Sequence, residues 1–337
     1  MRNALGLMLA SVVTAVVIAA VWFWTSSPRV ELAAPATVSA PPAARLAAAA
    51  KPARDDVEVT ASLSVKPPAT PAPSKNACAN PDALGVSRVV VIDTTGGPGF
   101  GFEHFKQLDF LADKEVVLTF DDGPWPVNTP LVLKALEDEC TKALFFPIGK
   151  HAGWHPEILK QVVAAGHTVG SHTWSHKDLS KLTPEEAKNE IEMGIAAVSI
   201  SLGNTPVAPF FRFPALRHPP EMVKYLGERN VGIFSTDMDS FDFKLRKPEQ
   251  VIKSVMAKLE KHGKGIILMH DFQHATAEAA PELFKQLKAG GYKVVQVVGK
   301  TPIEPQKEYV AIVLKEMGGG LDEARPMSSV IQTIQGN

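Results

Sequence analysis

Residues 115–126 read EVVLTFDDGPWP, and the interpretation of the chain starts from this stretch. The run EVVLTF is rich in β-branched and aromatic side chains, which is typical of a buried strand. Asp121 and Asp122 follow it directly, and Gly123 and two prolines then turn the chain away. The pattern predicts a strand that ends in two adjacent carboxylates. Taken alone, DDGP is also compatible with an ordinary turn, because Asp, Gly and Pro are common in turns.

Short apolar runs alternate with longer amphipathic stretches as far as residue 298. EVVLTF is followed by PLVLKALEDE, ALFFPIG by PEILKQVVAAG, and GIILMH by AAPELFKQLKAG. Strand–helix repetition of this kind predicts an α/β fold with a mostly parallel sheet covered by helices. The number and length of the repeats favour a barrel-like (β/α) fold over an open sheet.

Polar side chains stand where the predicted strands end. They are Asp121, Asp122, His172, His176, Arg212, Asp239, Asp242 and His270. In (β/α) barrels the carboxyl ends of the strands meet at one rim, where active sites are built. We therefore expect these side chains to lie close together.

The stretch HTWSH places His172 and His176 four residues apart. On a helical turn both imidazoles would face the same way, as a metal ion requires. The spacing alone is also compatible with a chance pair. One carboxylate of the double aspartate would complete a His₂Asp set with open positions for water, and its neighbour would stay free to accept a proton.

Composition restricts the partners of the protein. The 337 residues are 45% hydrophobic, which supports a sizeable core, and the formal net charge is −1. A chain with so little net charge has no field to steer a polyanion, so we expect no nucleic-acid partner. The sequence indicates no obligate protein partner.

Two further signals predict structure rather than chemistry. GGPGFG at 96–101 has the wrong glycine spacing for a dinucleotide-binding loop, so we expect a surface loop there. The remaining histidines that we expect to be structural or solvated are His151, His155, His167, His218, His262 and His274.

The N-terminus predicts a membrane segment. One early arginine precedes an uncharged run from Ala4 to Trp24, which has the length of ~20 residues that a helix needs to cross a bilayer. The run ends in WFW, which suits a membrane interface, so residues 1–24 are predicted to be an uncleaved anchor rather than a cleaved signal peptide. Residues 25–76 are rich in Ala and Pro and predict a disordered linker.

The anchor would place the rest of the chain on the outer side of a membrane, periplasmic or extracellular. Secretion after signal cleavage is the alternative. Cys78 and Cys140 both lie in this part of the chain. An oxidising compartment would permit a disulfide between them, which we expect, although Cys140 could instead be a small semi-buried residue on a helix.

Five motifs follow one another along the chain. They are TFDDG at 119–123, HTWSH at 172–176, RFP at 212–214, DSFDF at 239–243 and LMH at 268–270. In these motifs the chain resembles the polysaccharide deacetylase family, carbohydrate esterase family 4, over about residues 115–298. The resemblance implies a distorted (β/α) barrel and metal-dependent removal of acetyl groups, usually from N-acetylglucosamine polymers.

The resemblance also implies roles for single residues. It makes Asp121 the general base and His270 the general acid. It makes Asp122, His172 and His176 the ligands of a divalent metal ion, with zinc expected and other divalent ions compatible with the same donors.

Arg212 matches the family arginine that holds the base carboxylate, and Asp242 matches the acid that orients the catalytic histidine. A purely structural ion pair is the alternative for these two residues.

Three residues match positions that contact the substrate. Leu268 would line the pocket for the acetyl methyl group, and the backbone N–H of Ala215 would stabilise the oxyanion. Phe243 stands where the family has a tryptophan, and Ala215 and Leu216 stand where it has an aromatic residue and a glycine. The resemblance therefore leaves the preferred glycan open.

The expected organisation places a catalytic domain at residues 77–300, with its motif core at 115–298, and a partly ordered tail at 301–337. The expected function is hydrolysis of N-acetyl groups on an N-acetylglucosamine-containing poly- or oligosaccharide. Removal of O-acetyl groups from a polysaccharide is an alternative, because the same centre would cleave an ester. A non-catalytic glycan-binding module of the cell envelope is another.

Overall fold

The computed structural model describes residue 78, residues 80–203 and residues 207–318. The predicted anchor at 1–24 and the predicted linker at 25–76 lie outside these residues and stay predictions. Among the residues that the structure describes, no helix has the length and apolar character needed to span a membrane.

Helices follow most of the strands. The strands are β1 (Arg88–Ile92), β2 (Gly99–Phe100), β3 (Glu115–Asp121), β4 (Leu144–Phe146), β5 (Thr168–Val169), β6 (Phe210–Phe211), β7 (Gly232–Phe234), β8 (Met238–Asp239), β9 (Gly265–His270) and β10 (Lys293–Gly299). The helices are α1 (Asn128–Asp138), α2 (Gly149–Trp154), α3 (Pro156–Ala164), α4 (Pro184–Ser201), α5 (Pro220–Glu228), α6 (Pro248–His262), α7 (His274–Ala289) and α8 (Lys307–Gly318).

The strands pair in parallel around an almost closed ring. β9 pairs with β3, β3 with β4 and β4 with β5. A bridge between Ser171 and Phe211 continues the ring to β6, which pairs with β7, and β8 pairs with β9 on the other side. Within the described residues β7 and β8 are not paired, and β7 instead pairs with β2. The ring fits the expected (β/α) barrel and has one break.

Strand β3 lies at the centre of this arrangement. All seven of its residues are buried, as expected for a parallel strand covered on both faces.

Helix α4 begins with a recognisable signal. Thr183 accepts a hydrogen bond from the backbone of Glu186 while the Glu186 side chain accepts one from Thr183, which is a capping box at the start of α4.

The predicted disulfide is confirmed. Cys78 and Cys140 are bonded, with their Cα atoms 5.8 Å apart and a sequence separation of 62. Next to the bridge, the Glu139 side chain accepts a hydrogen bond from Leu84 N at 2.8 Å. The segment before β1 is thus fixed to the end of α1.

The compact body continues past residue 300, where we expected a tail to begin. Helix α8 packs on α4, and its Tyr309 and Val313 are buried against Ala196 and Ala197. The Tyr309 hydroxyl also donates to Asn189 Oδ1 at 2.8 Å. One apolar face on a short helix gives only a weak periodic signal in the sequence, so the packing was not predictable from it. Residues 319–337 lie outside the described part of the chain.

The expectation of a plain surface loop at 96–101 was wrong for its second half. Gly99 and Phe100 form β2, and Phe100 is 4% exposed. Gly101 has φ +99°, and a Cβ atom there would lie 2.5 Å from the backbone nitrogen of Thr236. Glycine is required because the two backbones approach so closely.

Candidate active site and metal centre

The predicted site residues come together at the carboxyl ends of the strands. A cavity of about 440 Å³ opens there. The residues named from the sequence that line it are Asp121, Asp122, His172, His176, Ala215, Leu216, Asp239, Phe243, Leu268 and His270. Arg212 and Asp242 lie behind its wall, both 0% exposed.

Asp122, His172 and His176 form a cluster that fits a divalent metal ion. Asp122 Oδ1 lies 3.5 Å from His172 Nε2 and 3.4 Å from His176 Nε2. One candidate ligand atom from each residue lies within 4.8 Å of the other two. Asp122 Oδ1 is buried and accepts no hydrogen bond from the described residues. A buried carboxylate oxygen without a donor is costly, and a cation bound by the three residues would satisfy it.

The HTWSH stretch is not the helical turn that its spacing suggested. It lies in an irregular segment, where Thr173 and His176 have φ values of 69° and 58°. These left-handed residues fold the chain back, so that the rings of His172 and His176 lie 5.0 Å apart and both face Asp122. The two imidazoles thus converge as expected, but an irregular segment brings them together instead of a helical turn.

A second contact orients each of two metal-ligand candidates. His172 Nδ1 lies 2.7 Å from the carbonyl oxygen of Arg212, which leaves Nε2 directed at the cluster. Burial lowers the pKa of His172 well below its usual value, so the imidazole is neutral, as a metal ligand must be. His151 Nδ1 lies 2.6 Å from the carbonyl oxygen of Asp122. His151, expected only to be structural or solvated, thus supports the turn that carries Asp122.

The carboxylate of Asp121 has two different neighbours. Asp121 Oδ1 accepts a hydrogen bond from Arg212 Nη1 at 2.7 Å, and Asp121 Oδ2 lies 3.9 Å from His172 Nε2. Burial raises the pKa of Asp121 to about 6, although the Arg212 charge opposes the shift. A carboxylate with a pKa near neutrality can accept a proton and release it again.

The guanidinium of Arg212 is held by four hydrogen bonds, and each of its three nitrogens donates at least one. Besides Asp121, it donates to Thr119 Oγ1 at 2.7 Å and to the carbonyl oxygens of Phe234 and Ser235 at 3.2 and 2.8 Å. The fixed guanidinium therefore sets the orientation of the Asp121 carboxylate. Arg212 and Asp242 bond to different pocket residues rather than to each other.

His270 and Asp242 form the other charged pair. His270 Nδ1 lies 2.6 Å from Asp242 Oδ1, and Asp242 Oδ2 accepts from the backbone of His270 at 2.7 Å and from Thr276 Oγ1 at 2.5 Å. Burial would lower the pKa of His270, but the hydrogen bond and charge of Asp242 raise it above its usual value. The bonds from His270 likewise outweigh burial and lower the pKa of Asp242. The carboxylate of Asp242 therefore favours the protonated form of the His270 imidazole, which lines the pocket.

The remaining wall of the pocket is unusual in its backbone. Ala215 and Leu216 are consecutive residues with φ 53°, in the left-handed region that favours glycine. Phe243 is 42% exposed and meets the His270 ring edge-on at 5.7 Å between centroids. Leu268 is 4% exposed and forms an apolar patch of the lining.

Sequence reasoning missed Asp271. It is 1% exposed, accepts from Gly123 N at 3.1 Å and from Thr129 Oγ1 at 2.5 Å, and its pKa is raised by burial to about 7. A Cβ atom on Gly123 would lie 2.1 Å from Asp271 Oδ2, so glycine is needed beside Asp122. The position of Asp271 directly after His270, at the end of a predicted strand, was the signal that could have revealed it.

Comparisons with known proteins decide the family. Residues 111–231 match the family model described as polysaccharide deacetylase. A peptidoglycan-N-acetylglucosamine deacetylase from Bacillus cereus is 30% identical over 197 residues, which cover 55% of this chain and 87% of that protein. The chain belongs to the polysaccharide deacetylase family. The matched residues contain the first three of the five motifs, and the geometry described above adds Asp242 and His270 to the same pocket.

Two other members of the family align with this chain over only part of their own length. A peptidoglycan-N-acetylglucosamine deacetylase from Listeria monocytogenes is 33% identical over 189 residues, which cover 55% of this chain and 38% of that protein. The solved structure of a peptidoglycan deacetylase from Bdellovibrio bacteriovorus has a TM-score of 0.58 and 36% identity, and the match covers 64% of this chain and 59% of that one. The chain thus spans less than two thirds of the length of either protein.

Proposed function

We propose that this protein is a metal-dependent hydrolase that removes N-acetyl groups from an N-acetylglucosamine-containing poly- or oligosaccharide. The relatives named above are described as deacetylases of such glycans. The observation that carries the proposal is that a buried carboxylate, Asp121, and an imidazole hydrogen-bonded to a buried carboxylate, His270, line the same cavity as the Asp122–His172–His176 cluster.

Asp122, His172 and His176 would hold the metal ion. Imidazole and carboxylate donors suit zinc, which is the ion we propose, and they accept other divalent ions as well. When bound, such an ion polarises the acetamide carbonyl and makes a water molecule easier to deprotonate.

The side chains around the cluster would perform the proton transfers. Asp121 accepts the proton of the attacking water, and Arg212 holds the carboxylate in the orientation that this requires. The backbone N–H of Ala215 donates to the oxyanion that develops on the acetamide. His270 then protonates the leaving amine, while Asp242 stabilises the imidazolium and fixes its orientation.

The His270–Asp242 pair, which can supply a proton, favours an amide over an ester as the substrate. An amine is a poor leaving group unless it is protonated as the C–N bond breaks, whereas an alcohol leaves more readily. A non-catalytic glycan-binding module would need neither a base nor an acid, and this pocket contains a candidate for each, both with polar partners.

We also propose that the protein works on the outer side of a membrane, held there by residues 1–24, with secretion after signal cleavage as the alternative. The Cys78–Cys140 disulfide supports an oxidising compartment. Cell fractionation followed by N-terminal sequencing tests this proposal. A mature protein that begins after Trp24 would show cleavage, and a cytoplasmic protein would contradict the proposal.

Acetate release is the test of the activity. The full-length protein would be stripped of metal with a chelator, reloaded with zinc, and offered an acetylated chitooligomer, peptidoglycan and acetylated xylan. We expect acetate from a glycan that carries N-acetylglucosamine, and only after metal is restored. Release from xylan alone would favour the O-acetyl esterase, and no release from any glycan would favour the binding module.

A further inference from the structure

The segment that follows β2 closes the break in the ring between β7 and β8. Phe102 N donates to Asp237 Oδ1 at 2.6 Å, and Glu103 N donates to the carbonyl oxygen of Thr236 at 3.1 Å. Gly101 brings the two backbones into contact, as described above. These bonds fix the backbone of Glu103 beside the pocket.

His104 is held equally firmly and also lines the pocket. His104 Nδ1 lies 2.7 Å from Ser235 Oγ, and its ring lies 4.5 Å from the ring of His218. His104 Nε2 makes no hydrogen bond with any residue in the described part of the chain. One ring nitrogen is therefore anchored and the other is available to a ligand.

Glu103 presents a carboxylate without a protein partner. Its side chain is exposed, lines the pocket, and makes no hydrogen bond or ion pair with the residues described in the structure. The charge of Glu103 acts on Lys258, but the Lys258 ammonium donates to the carbonyl oxygen of Asp239 and to Ser254 Oγ instead. A rigid backbone thus holds an unpaired acceptor at the pocket.

We propose that Glu103 and His104 bind the hydroxyl groups of the sugar whose acetamide is cleaved. A carboxylate accepts hydrogen bonds from hydroxyl groups, and an imidazole nitrogen accepts or donates one. Both residues precede residue 111, where the match to the family model begins. This wall of the pocket is therefore contributed by a segment outside the matched residues. The inference rests on the proposed deacetylase function.

The test compares a sugar substrate with one that lacks hydroxyl groups. The variants are Glu103→Ala, Glu103→Gln and His104→Ala, each in the full-length, metal-loaded protein, with Glu260→Gln on the exposed surface of α6 as the matched control. The substrates are an acetylated chitooligomer and an aryl acetate. Bound metal is measured on every variant.

We expect Glu103→Ala to raise KM for the chitooligomer about tenfold, the size of one lost charge-assisted hydrogen bond, while kcat changes less than about twofold, because the contact is present before and during the reaction. Glu103→Gln should raise KM less than Glu103→Ala, because the amide retains an acceptor oxygen. His104→Ala should raise KM about threefold to tenfold. For all three, kcat/KM on the chitooligomer should fall relative to kcat/KM on the aryl acetate.

Two results would overturn the inference alone. An unchanged KM for the chitooligomer in Glu103→Ala and His104→Ala would show that the sugar does not contact this wall. An equal loss on both substrates would show that the segment only supports the fold. If the wild-type protein releases no acetate from any glycan, the proposed function fails, and this inference fails with it.

Discussion

The centre of the pocket and its rim are built differently. Arg212 and Asp242 are 0% exposed, and each is bonded to a residue at the end of β3 or β9. At the rim, Phe243 is 42% exposed, Ala215 and Leu216 have left-handed backbones, and the Glu103 carboxylate has no partner among the described residues.

This difference separates the residues that perform the reaction from the residues that determine the choice of glycan. Buried, fully bonded residues tolerate little change, because breaking a buried charge pair costs about 3–5 kcal/mol. Exposed rim residues can change without unfolding the protein. We therefore expect that substitutions at the centre remove the chemistry, whereas substitutions at the rim change the choice of glycan.

The largest effect should come from the metal-ligand candidates. Asp122→Ala and His176→Ala should lose bound metal and acetate release together, because each removes one of three donors to the ion. Added zinc should restore little. Elemental analysis of the purified variants measures the metal, and a variant that keeps its metal at the wild-type level would remove that residue from the ligand set.

The acid should be separable from the metal. We expect His270→Ala to keep the metal nearly intact, since His270 is not assigned as a ligand, while turnover falls by about 10²–10⁴, the usual range for removing a positioned acid. Metal content and kcat are measured on the same sample. Loss of the ion in this variant would contradict the assignment.

The disulfide should affect stability without affecting chemistry, because it lies away from both regions. The double variant Cys78→Ser/Cys140→Ser should lose about 2–4 kcal/mol in the free energy of unfolding. Urea denaturation measures the loss, and kcat under native conditions is the control. A large fall in kcat in the folded double variant would show that the bridge positions the site.

The pH dependence should report the two charged pairs. Asp121 must be deprotonated, and its pKa is raised by burial to about 6, so activity should fall as the pH drops through about 6. His270 must be protonated, so activity should also fall at alkaline pH. Asp242→Asn removes the charge that helps to raise the pKa of His270 and replaces a charge-assisted hydrogen bond with a weaker neutral one, so the alkaline limb should move to lower pH. An alkaline limb that stays in place would show that another group controls it.

The smallest effect should come from the strained rim. Ala215→Gly should increase the free energy of unfolding by up to about 1 kcal/mol, because glycine adopts a positive φ without the cost that a Cβ atom imposes. The Ala215 side chain is exposed, so its removal loses no packing. Thermal unfolding measures the change in stability. Ala135→Gly, a substitution inside α1, is the control that we expect to be destabilising, so the two substitutions should change the stability in opposite directions.

The centre of the site was predictable because each of its residues follows a strand end. Once the strands were placed, a parallel arrangement brought Asp121, His172, Arg212 and His270 to the same end of the barrel. The detailed contacts were not predictable. Asp271 follows a predicted strand end, but its contact with Gly123 joins residues 148 positions apart, and no local pattern pairs the two.

The rim was less predictable for the same physical reason. Ala215 and Leu216 have left-handed backbones although neither is glycine, and the surrounding packing imposes this conformation. The Glu103 and His104 wall depends on contacts with Thr236 and Ser235, more than 130 positions away. Local patterns in the sequence do not report such contacts.

The central claim is that adjacent aspartates have different roles, Asp122 in holding the ion and Asp121 in accepting the proton. The measurement that tests it most directly is bound metal and kcat for acetate release in purified Asp121→Asn. We expect the metal to remain near one ion per protein, while kcat falls by about 10²–10⁴. Full turnover in this variant, or loss of its metal, would contradict the division of roles.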